Sequence, residues 1–552
     1  MSMDPETPPV LVIRDPERPL HLKSRPLLRI GLAQGLQKID FKVNGPFRLE
    51  NLDGHTVHAS NGSELRWRAR CQQTQSAQYH TSVLVDSFHH EPQALALARR
   101  LLDQGYDAWI RCIGMPVHFE NGVQHNALRF RVLVGRFENE SQAADVQTLL
   151  NNDWRPRLVR EKTAEPTGRV EYLDAELSQH QEVERGLRLV PGAPDGLISL
   201  FQLPTLKGEQ DEYLEDRQYS GVIEFRVDNG GMLSVINEIH IDRYLKGVLP
   251  AELDPAFPLE AQKAQAVVSR SNVLCMLGLK HMNDPFDFCA FAHCQCYSGT
   301  TREQELSSNA VLETSGEVMV WNEQVCDGVS TVCCGGHSES KENIWSTPPQ
   351  DVLSGRMDVM GSAQKRNGLD LSSESVFREW VDSPPDVLCD LRRSDLGVLE
   401  DWSRRYFRWR EELRRQDLEE LIRRKTGVDL GTLFEILPIS RGMSGRLKEL
   451  ELIGSRRNLR LQKELKIREA LAPTALFSSA FWVESKGSEA GVPTSFVFHG
   501  AGRGHGLGLC QLGAAAMALS KQTYDKILLH YFPGVRLMPF YTLRPESVEH
   551  NA

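Results

Sequence analysis

The stretch YLKGVLPAELDPAFPLEAQKAQAVVSR, residues 244–270, sets the reading of the chain. Pro250, Pro255 and Pro258 bound a loop carrying Glu252, and Pro258 stands where the first turn of a helix tolerates proline. Lys263 and Arg270 lie two turns apart on that helix and share one face. A loop carboxylate followed by two helical cations is either an acid with clamps for a substrate anion or an acid answering the helix dipole. Immediately upstream, YSGVIEFRVDNGGMLSVINEIHID alternates apolar and polar residues, with an Asn-Gly turn between two strands. Strands followed by a helix predict an α+β class.

Working outward, FCAFAHCQCYSG (288–299) sets Cys289, His293, Cys294 and Cys296 close together. Thiolate and imidazole are natural zinc ligands. Adjacent His293 and Cys294 point apart unless the loop is tight. The run therefore offers either three ligands completed by another group, or ordinary buried cysteines beside a histidine. GAGRGHGLGLCQLGAAAMA (500–518) has no GK[ST] and no GxGxxG after a strand, which removes the phosphate-loop reading. Its glycines allow close backbone approach around His505.

Residues 79–160 hold an internal repeat. Phe137 follows Phe88 by 49 residues (137 − 88), and the same offset joins Val83 to Val132, Val85 to Val134, Ala94 to Ala143 and Leu101 to Leu150. Each half reads strand, loop, amphipathic helix, strand, and together they predict a small sheet with helices on one face. Residues 1–26 read as a flexible lead-in, 161–217 as a polar linker, 402–425 as a charged helical segment and 541–552 as a tail.

Composition limits the function classes. The 552 residues are 40% hydrophobic and 25% charged, which excludes a largely disordered chain. The formal charge of −10 argues against nucleic acid as partner. No apolar run approaches the ~20 residues needed to cross a bilayer. The opening residues show neither a basic n-region nor a continuous apolar h-region, so no export signal is legible there. Eleven cysteines, clustered rather than dispersed, suggest metal binding or local thiol chemistry.

YLKGVLPAE, FPLEAQKAQAVVSR, HCQCYSG, CCGGHSES, SGRLKELELIG and GRGHGLGLCQLGAAAMA with HYFPG occur in the order found in the SpoIID/LytB family of sporulation protein D lytic transglycosylases and amidase enhancers, which the chain resembles over 27–70 and 218–540. The repeat at 79–160 resembles the SPOR domain, which binds peptidoglycan glycan strands stripped of stem peptides. These resemblances imply a β-rich SpoIID-type domain with helices, carrying an inserted βαββαβ SPOR-like domain. They imply cleavage of the MurNAc–GlcNAc linkage of denuded glycan with Glu252 as acid and then base, or else a non-catalytic enhancer that stimulates an N-acetylmuramoyl-L-alanine amidase. A structural zinc on Cys289, His293 and Cys294 is implied, with Cys296 as an extra thiolate. Lys263, Arg270, His505 and Gln511 become substrate-binding expectations, with the planar fork of Arg270 suited to the lactyl carboxylate of the sugar. Two cysteines replace the family's small hydroxylated residues in CCGGHSES, which leaves the role of Ser338 open. A cell-envelope location follows from the implied substrate.

Overall fold

The computed structural model describes residues 10–540 except 15–19, 22–25, 63–65, 115, 119–123, 151–153, 155, 175–179, 208–210, 346, 362–368, 393–395 and 490. Most of the expected lead-in and the whole 541–552 tail lie outside the described residues.

Two large sheets enclose the main core. The seven-stranded sheet runs Phe288–Cys289, Leu27–Leu36, Leu233–His240, Val222–Val227, Gly186–Pro191, Phe47–Asn51, Thr56–Ser60. The six-stranded sheet runs His180–Glu184, Thr167–Asp174, Trp67–Gln75, Lys38–Val43, Ile198–Lys207, Asp211–Tyr219. Their apolar faces share one cluster in which the Phe41 and Phe225 rings stand 5.1 Å apart. Residues 161–217 are therefore not a linker, because they supply strands to both sheets. Charged side chains alternate there with buried Val170, Tyr172, Leu187, Leu189, Ile198 and Leu200, so a two-residue period is masked by a polar outer face.

The repeat forms a separate five-stranded sheet ordered Val12–Arg14, Ala108–Ile113, Arg129–Phe137, Gln78–Phe88, Arg157–Ala164. Helices Glu91–Asp103 and Glu140–Leu150 cover one face, where Val83, Val85, Val132 and Val134 meet Ala94, Ala98, Leu101, Ala143 and Leu150. Leu84, Trp109 and Leu133 occupy the opposite face. Val12–Arg14 pairs in parallel with Ala108–Ile113, so this part of the expected lead-in is an edge strand.

A two-stranded ribbon joins this unit to the main body. Trp67–Gln75 pairs with Thr167–Asp174 up to Gln75↔Thr167, and the pairing resumes at Gln78↔Ala164 in the next sheet. Both chain crossings thus run side by side with paired backbones. Asn283 Nδ2 donates to the Arg160 carbonyl at 2.8 Å, bracing the ribbon against the loop that follows residue 276.

Beyond residue 339 the chain builds a further core around Leu418, Ile422, Leu433, Leu450 and Phe498. The expected helix over 402–425 is broken here. Helix Val398–Tyr406 gives way to strand Arg408–Arg414, which pairs with Ser495–Ala501, before helix Arg415–Thr426. Trp409 is buried and Leu413 packs against the same core, with half-buried Glu411 between them on that face and Arg410 and Glu412 exposed on the other, so the spacing satisfies a strand as well as a helix.

Candidate functional site

Glu252 closes helix Ile241–Glu252 instead of lying in the following loop. The helix packs Tyr244, Leu245, Val248 and Leu249 into the main core, and Pro250 precedes its end by two residues. Leu253 is already extended, at φ −137 and ψ 128. The chain therefore leaves the helix with the Glu252 carboxyl held against the cysteine-rich loop. Its Oε1 accepts the Cys296 amide N–H at 2.9 Å. Burial raises the carboxyl above its ordinary value of 4.5, and the Cys296 amide offsets only part of that rise.

Gln511 ties the same helix end to the glycine-rich segment. It starts helix Gln511–Leu519, is 3% exposed, and donates from Nε2 to the Glu252 carbonyl at 3.1 Å and to Gln265 Oε1 at 3.4 Å. Gln265 in turn donates to Ser269 Oγ and Ser330 Oγ, each at 3.2 Å. Ser330–Thr331 pairs with Leu509–Cys510, which brings this segment and the glycine-rich run to the same end of the helix that carries Glu252.

The glycines serve this convergence. A Cβ at Gly506 would stand 2.3 Å from Arg446 Cζ, and one at Gly508 would stand 2.2 Å from the Val329 carbonyl oxygen. His505 directly precedes Gly506, with its Nδ1 accepting the Leu507 N–H at 3.0 Å, which leaves the ring proton on Nε2. Burial, then Arg446 and Arg468, hold it down to about 3, so it is neutral at working pH. Its ring is 5.6 Å from that of Trp345. No described hydrogen bond joins His505 to Glu252 or Gln511.

The two helical cations do not act as clamps in this structure. Arg270 is 0% exposed, and its guanidinium bonds Asp242 Oδ1 at 3.0 and 3.2 Å and the carbonyls of Glu317 and Val311. A guanidinium so enclosed has no face for a sugar carboxylate, which corrects the expectation for Arg270. Lys263 Nζ is 2.7 Å from both Glu260 and Glu313, so two carboxylates already neutralise it. Helix Leu259–Met276 is buried nearly all round, so its shared face looks into the protein. Neither cation figures among the influences on Glu252, where burial dominates.

The cysteine-rich loop assembles a four-donor group. His281, Cys289, His293 and Cys294 each place a ligand atom within 4.8 Å of the others. Cys294 Sγ is 3.3 Å from His281 Nε2 and 3.5 Å from His293 Nδ1, and Cys289 Sγ is 3.8 Å from His293 Nδ1. The two imidazole nitrogens are 3.2 Å apart. With Zn–S of about 2.3 Å and Zn–N of about 2.0 Å, a tetrahedral ion spaces its ligands roughly 3.3–3.8 Å apart. The donor set and spacing fit such an ion. His281 is the partner that sequence reasoning missed. Its signal was Asp284 three residues on, whose Oδ2 lies 2.9 Å from His281 Nδ1, the usual outer support of a ligating histidine.

Cys296 lies outside this group, and its thiol is pushed up to about 12 by burial and nearby Glu252 and Cys289. Its contribution is the backbone N–H on Glu252. Ser338 is buried, and its hydroxyl exchanges hydrogen bonds with the Arg356 backbone, a structural use. None of the eleven cysteines, Cys333 and Cys334 included, is joined in a disulfide. No described helix is long and apolar enough to cross a membrane.

The stage II sporulation protein family (SpoIID) matches residues 229–321, which include Glu252 and the whole four-donor loop. The SPOR domain family matches 77–154, and a domain of unknown function matches 339–508. An uncharacterized protein of Brachyspira hyodysenteriae is 26% identical over 332 residues, spanning 60% of this chain and 74% of that one. The amidase enhancer of Bacillus subtilis is 23% identical over 355 residues, spanning 59% of this chain and 45% of the enhancer.

Proposed function

We propose that this chain, which carries a SpoIID domain and a SPOR domain, is a peptidoglycan lytic transglycosylase of the cell envelope acting on denuded glycan. The observation that carries the reading is the Glu252 carboxyl, raised by burial, with the Cys296 backbone N–H donating to it. A raised carboxyl stays protonated further toward neutral pH, as a general acid requires. Glu252 protonates the glycosidic oxygen leaving C1 of MurNAc. The resulting carboxylate then takes the proton of the MurNAc 6-hydroxyl as that oxygen attacks C1. A 1,6-anhydro ring closes, no water is consumed, and the carboxyl regains its proton. The Cys296 N–H stabilises the carboxylate between the two transfers. One carboxyl suffices here, unlike the pair found in most hydrolytic glycosidases.

A structural zinc on His281, Cys289, His293 and Cys294 would fix the loop that presents the Cys296 amide. Gln511 holds the backbone of Glu252, and His505 donates from Nε2 to the glycan. The SPOR unit, a βαββαβ insertion over 79–160, keeps glycan near Glu252. Its paired-strand neck supports a narrow range of separations and hence a high effective concentration.

A second reading, a non-catalytic enhancer of an N-acetylmuramoyl-L-alanine amidase, is favoured by the similarity to the amidase enhancer of Bacillus subtilis. Peptidoglycan with and without prior amidase treatment, incubated with wild type and Glu252→Gln, separates the two by mass spectrometry of soluble products. Anhydro-MurNAc ends from denuded glycan, lost at least ~100-fold in Glu252→Gln, are the expected result. Glycan binding without product would establish the enhancer reading.

A further inference from the structure

A second group of thiols lies in the interior, outside the proposed catalytic machinery. Cys334, Asp358, Cys389 and Cys510 place their ligand atoms within 4.8 Å of one another, and all four residues are at most 2% exposed. Cys334 Sγ is 3.6 Å from Cys389 Sγ and 3.3 Å from Asp358 Oδ2. A tetrahedral ion with Zn–S of about 2.3 Å and Zn–O of about 2.0–2.2 Å sets such edges at roughly 3.5–3.8 Å. We propose that Cys334, Asp358, Cys389 and Cys510 bind a divalent thiophilic metal ion of the zinc class as a second, structural metal centre.

The surroundings are those of a metal thiolate. Cys510 caps the start of helix Gln511–Leu519, where the helix dipole favours a thiolate, and its Sγ accepts the Cys334 amide N–H at 3.2 Å. Asp358 Oδ1 accepts the Tyr531 hydroxyl at 2.7 Å, which leaves Oδ2 toward the sulfurs and supplies the outer support expected of a ligating carboxylate. Gly513 makes room for this pair, because a Cβ there would stand 2.0 Å from the Tyr531 oxygen and 2.8 Å from Asp358 Oδ2.

Charge points the same way. Arg446, 1% exposed, reaches the Cys334 carbonyl with both Nη atoms at 3.3 Å, and Arg408 reaches the Gly335 carbonyl at 3.1 Å. Neither guanidinium pairs with a carboxylate among the described residues. Two such cations and one divalent ion balance three thiolates and a carboxylate. Without the ion, the Asp358 carboxyl and the three sulfurs would share a dry interior with two poorly matched cations. Binding expels up to three thiol protons to solvent as the three metal–sulfur bonds form.

The test is zinc stoichiometry of the full chain, purified under reducing conditions and measured by inductively coupled plasma mass spectrometry. Wild type, Cys294→Ser, Cys389→Ser and Cys326→Ser are compared, the last being a buried thiol outside both groups. The expected result is that one equivalent survives Cys294→Ser and is lost in Cys389→Ser, while Cys326→Ser keeps the wild-type value. Should Cys389→Ser fail to fold, cobalt(II) loaded into Cys294→Ser reports the interior site through thiolate-to-cobalt charge-transfer absorption. Absence of zinc and of that absorption in Cys294→Ser would overturn the proposal. A Cys334–Cys389 disulfide in peptide maps of the non-reduced protein, with no zinc retained, would overturn it as well.

Discussion

The loop group at His281, Cys289, His293 and Cys294 and the interior group at Cys334, Asp358, Cys389 and Cys510 each gather four donors within 4.8 Å, but they are assembled in opposite ways. The loop group closes a short stretch of one chain segment, keeps His293 exposed, and stands two residues from the amide that holds Glu252. The interior group draws on positions 334 to 510, and its residues Cys334 and Cys510 lie just outside the two ends of the 339–508 family match. An ion in the first orders a loop beside the chemistry. An ion in the second ties together segments that the chain separates by more than a hundred residues. Cross-links over long segments restrict the unfolded chain most, and short ones least.

The sharpest way to break that contrast is to remove one thiol from each group. Cys389→Ser is expected to cost about 5 kcal/mol of stability on the loop-closure scale, a fall in Tm of roughly 10 °C or more. Cys294→Ser is expected to move Tm by less than ~3 °C while turnover of denuded glycan drops roughly 10–100-fold through the displaced Cys296 amide. Thermal melts and product assays on the same preparations check both. Equal destabilisation by the two variants would show that the groups do the same job.

The buried cations sharpen the same distinction at lower amplitude. Arg270→Met strands Asp242 in the interior and is expected to cost about 3 kcal/mol. Adding Asp242→Asn should recover much of the loss. Lys263→Met leaves Glu260 and the half-exposed Glu313 facing water and is expected to cost less than ~1 kcal/mol. Urea titrations give both values. A KM rise in either variant without a matching loss of stability would restore the clamp role that the geometry withdraws.

These contrasts also explain what could be read from the chain alone. Glu252, Cys289, His293, Cys294 and Gln511 stand in short contiguous motifs, where residue type and order carry the information. The interior group has no such motif, because Asp358 and Cys389 are isolated in sequence and meet Cys334 and Cys510 only through packing. Arg270 was placed correctly on its helix, but spacing reports a shared face and not what that face looks at. The strands of 161–217 were hidden by charges on their outer side, and Arg408–Arg414 by a spacing that suits two periods. Residue type and order in short motifs are visible along the chain, whereas burial depends on what packs against them and is not.

At the loop end of the comparison, Gln511→Ala removes the bond to the Glu252 carbonyl but no metal donor. The expected result is a kcat about 10-fold lower with KM and zinc content unchanged, checked by steady-state kinetics and metal analysis. Loss of zinc in this variant would mean that the loop group and the helix end are one unit.

The smallest effect concerns Glu252 itself. Its folded carboxyl titrates above the ordinary 4.5, so in the window between that value and the raised one the native state binds more protons than the unfolded chain. Stability from this group is therefore fully present below about pH 4.5 and falls as pH rises through the window. Gln carries no charge at any pH and escapes the fall. Glu252→Gln should match wild type at pH 4 and exceed it in stability at pH 7, because only the wild type loses the raised carboxyl's contribution across that window. Denaturant titrations at the two pH values check this against the activity loss of the same variant. A variant that is more stable and inactive identifies a carboxyl held in its place for chemistry, whereas equal stability at both pH values would remove the raised carboxyl on which the acid role rests.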